Sequence, residues 1–249
     1  MSALRIGSLF SGIGGLDLAV EAVTGGEVAW FCEADPYARR VLAKHWPGVP
    51  IFEDVRELSQ PPAVDVLCGG FPCQDISNAG KREGIDGRKS GLWREFARLI
   101  RDVGPRWVFL ENVAAVTVRG IGRVLADLAS CGFDAEWGCL RASDVGAPHQ
   151  RSRWFAVAWA TQITIPHADS ERIRGFWQLG APASVSLDAS EAGGGAGDLF
   201  RWDHLSSPGV CRGADGSANV VDRLRCLGNA VVPQQAAWAF EQLIRRAGQ

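Results

Sequence analysis

The sequence predicts an α/β fold built on a doubly wound parallel sheet, and three observations carry that prediction. Strand-length apolar runs alternate with segments of helical composition from Ala3 to Trp159; the first run breaks into a glycine-rich turn; and an acidic residue closes the second run. Short, wholly apolar runs suit strands covered on both faces, and strand–helix alternation suits βαβ units.

Taken in order, Ala3 to Phe10 is the first strand candidate, Ser11-Gly12-Ile13-Gly14-Gly15 the turn, and Leu16 to Val23 the first helix. Glu27 to Cys32 reads as the second strand, followed by Glu33. Pro36 to Trp46 is a helix with proline in its first turn, where the missing N–H costs nothing. Val64 to Cys68, Trp107 to Leu110 and Arg153 to Trp159 are further strands, with helices over Gly91 to Asp102 and Ile121 to Ser130 between them. Glu136 to Leu140 and Arg153 to Trp159 could form an antiparallel pair. From about Thr161 to Ser217 periodicity fades into scattered Gly, Pro and Ser, with residues 189–198 reading as a linker or disordered tip. Hydrophobic order resumes at Val220 to Leu227, and Pro233 to Arg245 reads as a closing helix.

The 249 residues, 47% hydrophobic, suffice for one large core. Seven cysteines without paired metal-ligand spacing, and no export signal at the amino terminus, imply reduced thiols in a cytoplasmic setting, with no disulfide framework and no metal site. No apolar stretch approaches the roughly 18 residues of a membrane span. A formal charge of −2 argues weakly against a nucleic-acid partner, but Lys81 to Arg101 holds seven basic residues against three acidic ones, either a solvated face or a phosphate-facing one.

Glycines in the first turn let a ligand approach the backbone at the positive end of a helix, and Glu33, about 20 residues on, stands where ribose hydroxyls are bound in such folds. The spacing of Gly12, Gly14 and Gly15 is tighter than the dinucleotide pattern, favouring a nucleotide-like cofactor without a pyrophosphate. Cys73 follows Gly69, Gly70, Phe71 and Pro72 and precedes polar residues. A lone cysteine is more often a small buried hydrophobe, which suits Cys68, but proline before Cys73 restricts the chain and aims the thiol. Arg151 and Arg153 flank Ser152, so in an extended segment both point to one face.

These residues together resemble the DNA (cytosine-5) methyltransferase family, in particular its compact phage-borne members. Seven blocks occur in order: Phe10-Ser11-Gly12-Ile13-Gly14-Gly15, Glu33, Asp54-Val55, Gly70-Phe71-Pro72-Cys73-Gln74, Glu111-Asn112-Val113, Gln150-Arg151-Ser152-Arg153 and Gly228-Asn229-Ala230-Val231. The resemblance implies a Rossmann-like methyltransferase sheet with a small inserted target-recognition lobe. It divides the chain into an S-adenosylmethionine-binding catalytic domain over 1–160, a recognition region over 161–218, and a segment over 219–249 returning to the catalytic domain. It implies methyl transfer from S-adenosyl-L-methionine to C5 of a flipped cytosine in double-stranded DNA by a monomer without metal. Cys73 would be the nucleophile, Glu111 the proton donor to N3, and Arg151 and Arg153 contacts to the base or adjacent phosphates. Phe10, Gly12, Ile13, Gly14, Gly15, Glu33, Asp54, Val55, Gly70, Pro72 and Asn229 would hold the cofactor.

The segment Gln74 to Leu92 is the candidate loop over the DNA, with Gln74, Ser77 and Arg88 near it; Arg172 and Arg174 are groove or phosphate candidates in the lobe, as are Trp177, Arg201, Trp202 and His204. Trp93 reads as an anchor for the helix that follows rather than a base-stacking residue. The recognition lobe is short, and Asp222 to Leu227 lacks the longer arginine-led block of many members. A non-catalytic relative and an RNA-directed one are the alternatives.

Overall fold

The computed structural model describes residues 3–72, 92–161 and 230–248. Cys73, Gln74, Ser77, Arg88, Arg172, Arg174 and Asn229 therefore lie outside the described residues, as do the lobe candidates Trp177, Arg201, Trp202 and His204, the segments 189–198 and 220–227, and nearly all of 161–218.

Seven strands form one sheet in the order β3-β2-β1-β4-β5-β7-β6: β1 (Arg5–Leu9), β2 (Glu27–Cys32), β3 (Ile51–Phe52), β4 (Val66–Gly69), β5 (Trp107–Val113), β6 (Phe133–Arg141) and β7 (Ser152–Ala160). The first five run parallel, and β7 lies antiparallel between β5 and β6. This is a Rossmann-like doubly wound sheet with an antiparallel edge. The helices are α1 (Gly15–Thr24), α2 (Pro36–His45), α3 (Leu92–Val103), the short α4 (Val116–Arg119), α5 (Ile121–Ser130) and α6 (Pro233–Ala247), with a 3₁₀ turn at Ala142–Val145.

Two hydrophobic cores explain why the strands read as unbroken apolar runs. On one face Leu9, Leu67, Val108, Leu110 and Trp154 pack against Trp93, Phe96 and Ile100 of α3 and Val124 and Leu128 of α5. On the other, Ile6, Phe31, Val66, Phe109 and Phe155 pack against Leu16, Ala19 and Val20 of α1, Leu42 of α2, and Ala236 and Phe240 of α6. Successive residues of each strand thus serve opposite cores, the period-two geometry of a sheet buried on both sides.

Local chemistry sets the helix starts. Asp35 caps α2, its Oδ1 accepting from Tyr37 N and Ala38 N, with Pro36 fixing the first turn. Helix α1 has no side-chain cap; Gly14 precedes it at φ 87°, a conformation glycine adopts at little cost. Trp93 is buried, donates from Nε1 to Asp127 at 2.9 Å and stacks on Phe96 at 5.5 Å, so it anchors α3.

Strand β5 differs from the sequence expectation. It does not end at Leu110 but continues through Glu111, Asn112 and Val113, because these residues remain paired with Phe155, Trp154 and Arg153 of β7. Glu111 is therefore a strand residue. The two-residue β3, α4 and the 3₁₀ turn carry too few residues for a periodic signal.

Where β1 and β4 lie side by side, a Cβ on Gly69 would press into the Leu9 carbonyl oxygen and the Phe96 ring. Backbone cannot yield there as a flexible side chain can. Gly69→Ala is expected to lower stability by about 1–3 kcal/mol, the usual cost of overpacking, read as a drop in the urea midpoint with an unchanged slope.

Candidate active site

The carboxyl ends of the parallel strands open into a crevice of about 850 Å³, where ligands bind in open α/β sheets. Because β7 is antiparallel, its beginning reaches the same edge at which β1, β4 and β5 end.

On one side, the chain turns from β1 to α1 through Phe10 (φ 54°) and Gly12 (φ 56°). A positive φ at a phenylalanine costs on the order of 1–3 kcal/mol and persists only where neighbours enforce it; Phe10 N donates to Cys32 O at 2.8 Å, and its ring stacks on Phe96. Glu33, at the end of β2, accepts from Gly12 N at 2.7 Å and from Asp35 N at 2.8 Å, tying the glycine turn to the second strand. Asp54 is held in a fork by Arg56, which keeps its carboxyl below the ordinary range. Phe10, Gly12, Ile13, Gly15, Glu33, Asp54, Val55, Gly70 and Pro72 all line the crevice. Gly14 stands behind it, where a Cβ would meet the Trp46 ring, so its part is the tight turn and the packing on α2.

On the other side, Glu111, Arg151 and Arg153 come together. Arg153 Nε donates to Glu111 Oε1 at 2.9 Å with both side chains largely buried. Glu111 faces Phe155 in the ladder and Arg153 is two residues before it, so the pair is a diagonal cross-strand contact on one face. Burial pushes the Glu111 carboxyl up to about 6, although the guanidinium groups of Arg153 and Arg151 pull the other way. Arg151 is itself lowered, by burial first and then by Arg153, with Glu111 opposing. Gly70 belongs beside them: a Cβ there would stand 2.9 Å from Glu111 Oε2.

Asn112 connects this cluster to the approach to Cys73. Its Nδ2 donates to Phe71 O at 3.0 Å while its Oδ1 accepts from Val113 N at 2.8 Å. The Phe71 ring is buried against Trp93, 5.0 Å between centroids. Phe71 is thus fixed from both backbone and ring.

A family model described as C-5 cytosine-specific DNA methylase matches residues 4–175. The chain belongs to this methylase family. Among curated relatives, the type II methyltransferase M2.BsuMI of Bacillus subtilis (strain 168) is 37% identical over 163 residues, covering 62% of this chain and 42% of the relative. The type II methyltransferase M.MspI of Moraxella sp. is 35% identical over 225 residues, covering 86% of this chain and 50% of the relative. The solved S. pombe Dnmt2 methyltransferase, 21% identical, shares the fold with a TM-score of 0.54 over 64% of this chain and 52% of that one. The chain spans about half the length of the curated relatives it matches. Among the described residues no helix is long and apolar enough to cross a membrane.

Sequence reading missed two buried polar residues of this methylase fold. Gln235, in the first turn of α6, is fully buried. Asp17, in the first turn of α1, is fully buried beneath the glycine turn and accepts from Cys68 Sγ at 3.5 Å; the Ser8 hydroxyl lies close by and donates to Ser11 Oγ at 2.8 Å. The signal was an acid inside the apolar stripe formed with Leu16 and Val20.

Burial, opposed by the nearby polar groups of Ser8 and Cys68, raises the Asp17 carboxyl to about 7. The unfolded chain releases this proton near the ordinary carboxyl value, whereas the folded chain holds it to about 7. The group therefore costs the fold nothing below pH 4, progressively more up to pH 7, and its full penalty above. Between pH 5 and 8 wild type should lose on the order of 3 kcal/mol relative to Asp17→Asn, at about 1.4 kcal/mol per pH unit, measured by urea unfolding at both pH values.

Proposed function

We propose that this chain transfers a methyl group from S-adenosyl-L-methionine to C5 of a flipped cytosine in double-stranded DNA, through a bond between Cys73 and C6. The observation that carries the reading is the buried Glu111–Arg153 pair at the carboxyl edge of the sheet, joined through Asn112 to the Phe71-Pro72 segment that leads into Cys73.

C5 of cytosine is a weak nucleophile, and covalent addition of a thiolate at C6 converts the ring to an enamine that is a stronger one. Electron density then builds on N3, where a positioned acid must supply a proton. With a carboxyl at about 6, roughly a tenth of Glu111 is neutral at pH 7, and a base accepting from it shifts that fraction upward. Arg153 holds Glu111 in place, and with Arg151 presents guanidinium donors to O2 or the neighbouring phosphates. After methyl transfer, the C5 proton passes to water, the N3 proton returns to Glu111 and the thiolate of Cys73 leaves, which restores the aromatic ring.

The cofactor side of the crevice fits its ligand. Glu33 keeps acceptor capacity for ribose hydroxyls beyond its two backbone bonds, and Gly12 has open space where a side chain would stand. Phe10, Ile13, Asp54, Val55, Gly70 and Pro72 complete the wall, and Asn229 is assigned to the cofactor by its place in the family's last motif. When bound, the sulfonium supplies an electrophilic methyl group. Residues 1–160 carry this chemistry in the proposal, 161–218 recognise the target, and 219–249 return to the catalytic domain. Gln74, Ser77, Arg88, Arg172 and Arg174 contact DNA, and the protein acts as a cytoplasmic monomer.

The base must leave the duplex, at a cost of about a few kcal/mol, so a fluorinated base that stalls the reaction is a direct probe. With cofactor and a duplex containing 5-fluorocytosine, wild type should form an adduct stable to denaturing electrophoresis and Cys73→Ser none. Glu111→Gln should lower the transfer rate by about 10²–10⁴. No wild-type adduct, or the same adduct with Cys73→Ser, rejects the nucleophile. Covalent trapping on RNA alone assigns the chemistry to a different substrate.

A further inference from the structure

Gln235 is the third residue of α6, after Pro233 and Gln234, and it is fully buried. Its neighbours on the helix, Ala236, Ala239, Phe240 and Leu243, belong to the hydrophobic core, where an apolar side chain would satisfy burial at lower desolvation cost. Its Nε2 instead donates to Leu140 O at 2.8 Å and Arg151 O at 3.0 Å, residues 95 and 84 positions away in sequence. An amide nitrogen has two hydrogens, and here one goes to β6 and the other to the residue that precedes β7.

Those carbonyls mark the mouth of the β6–β7 pair. Leu140 is the register partner of Arg153, and Arg151 immediately precedes β7 while its carbonyl also accepts from Ala142 N. Gln235 therefore fastens the point from which both arginines enter the crevice to a helix held by the core. The same helix start touches the cofactor side, because Val231 O would lie 2.5 Å from a Cβ on Gly15.

We propose that Gln235 is a positioning residue: it clamps the mouth of β6–β7 so that Arg151 and Arg153 meet the flipped base in a fixed register with Glu111. This rests on the reading that those arginines face the base or its phosphates. A displaced guanidinium weakens transition-state contacts without touching the cofactor, and misplacement by about 1 Å can cost up to a hundredfold in rate.

The test is a double-mutant cycle on the full chain, with methyl transfer to DNA and cofactor affinity measured separately. Gln235→Met keeps the volume and removes both donors; it should lower kcat/KM for DNA by about tenfold or more, with the cofactor Kd within about twofold of wild type. Arg151→Ala should be impaired, and adding Gln235→Met to it should lower transfer by less than the product of the two single losses, because only the positioning of Arg153 is then left to lose. A double variant whose loss is the product of the two single losses overturns the proposal, as does a fall in cofactor affinity parallel to the fall in transfer. If Arg151→Ala transfers like wild type, the arginine reading has failed and the proposal with it, whereas an impaired Arg151→Ala beside an unaffected Gln235→Met rejects the clamp alone. Gln235→Asn, which keeps the amide on a shorter arm, replaces the Met variant if that variant does not fold; if neither folds, Gln235 is a folding residue and the proposal falls.

Discussion

The contact between Arg153 and Glu111 organises this site. A carboxylate and a guanidinium withdrawn from water each lose hydration worth several kcal/mol, and only a close, well-directed contact offsets that loss. The 2.9 Å bond supplies such a contact, yet burial prevails over two nearby guanidinium groups and leaves the carboxyl near 6 rather than in the ordinary range. An acid so placed is charged or neutral according to what lies beside it, and that is the property a proton donor to a ring nitrogen needs.

The surroundings are arranged to keep that contact. Antiparallel β7 brings the arginines to the edge where the parallel strands deliver Glu33, Gly70 and Glu111, so both halves of the crevice share one rim. Gly70 leaves room for the carboxylate, Asn112 fixes Phe71, and Phe71 is clasped by Trp93. Each contact ties a loop to a core element, so the precision of the site derives from the sheet and its two packed faces.

Much of this was legible in the sequence because strands buried on both faces announce themselves as apolar runs, and because the glycine turn and Glu33 stand at fixed offsets from them. The extent of β5 was not legible: Glu111 and Asn112 are polar and look like the end of a strand, and only pairing with a strand some 40 residues later keeps them in the ladder. Gln235 was hidden for a similar reason, since its two partners are remote in sequence and nothing local marks a buried amide. Asp17 left a trace, an acid within an apolar stripe, whose meaning required Ser8 and Cys68 to be brought beside it. The grouping of Arg151 with Arg153 followed from strand alternation alone, while their union with Glu111 depended on register between β5 and β7.

Glu111 is a buried acid held back from full protonation by its arginine partner. Carboxyl ¹³C NMR of glutamate-labelled protein, with Glu111 assigned by substitution, measures it directly. A midpoint near 6 is expected in the wild-type protein and a higher one in Arg153→Gln, where the stabilising cation is lost. A wild-type midpoint at the ordinary glutamate value, or a downward shift in Arg153→Gln, would contradict it.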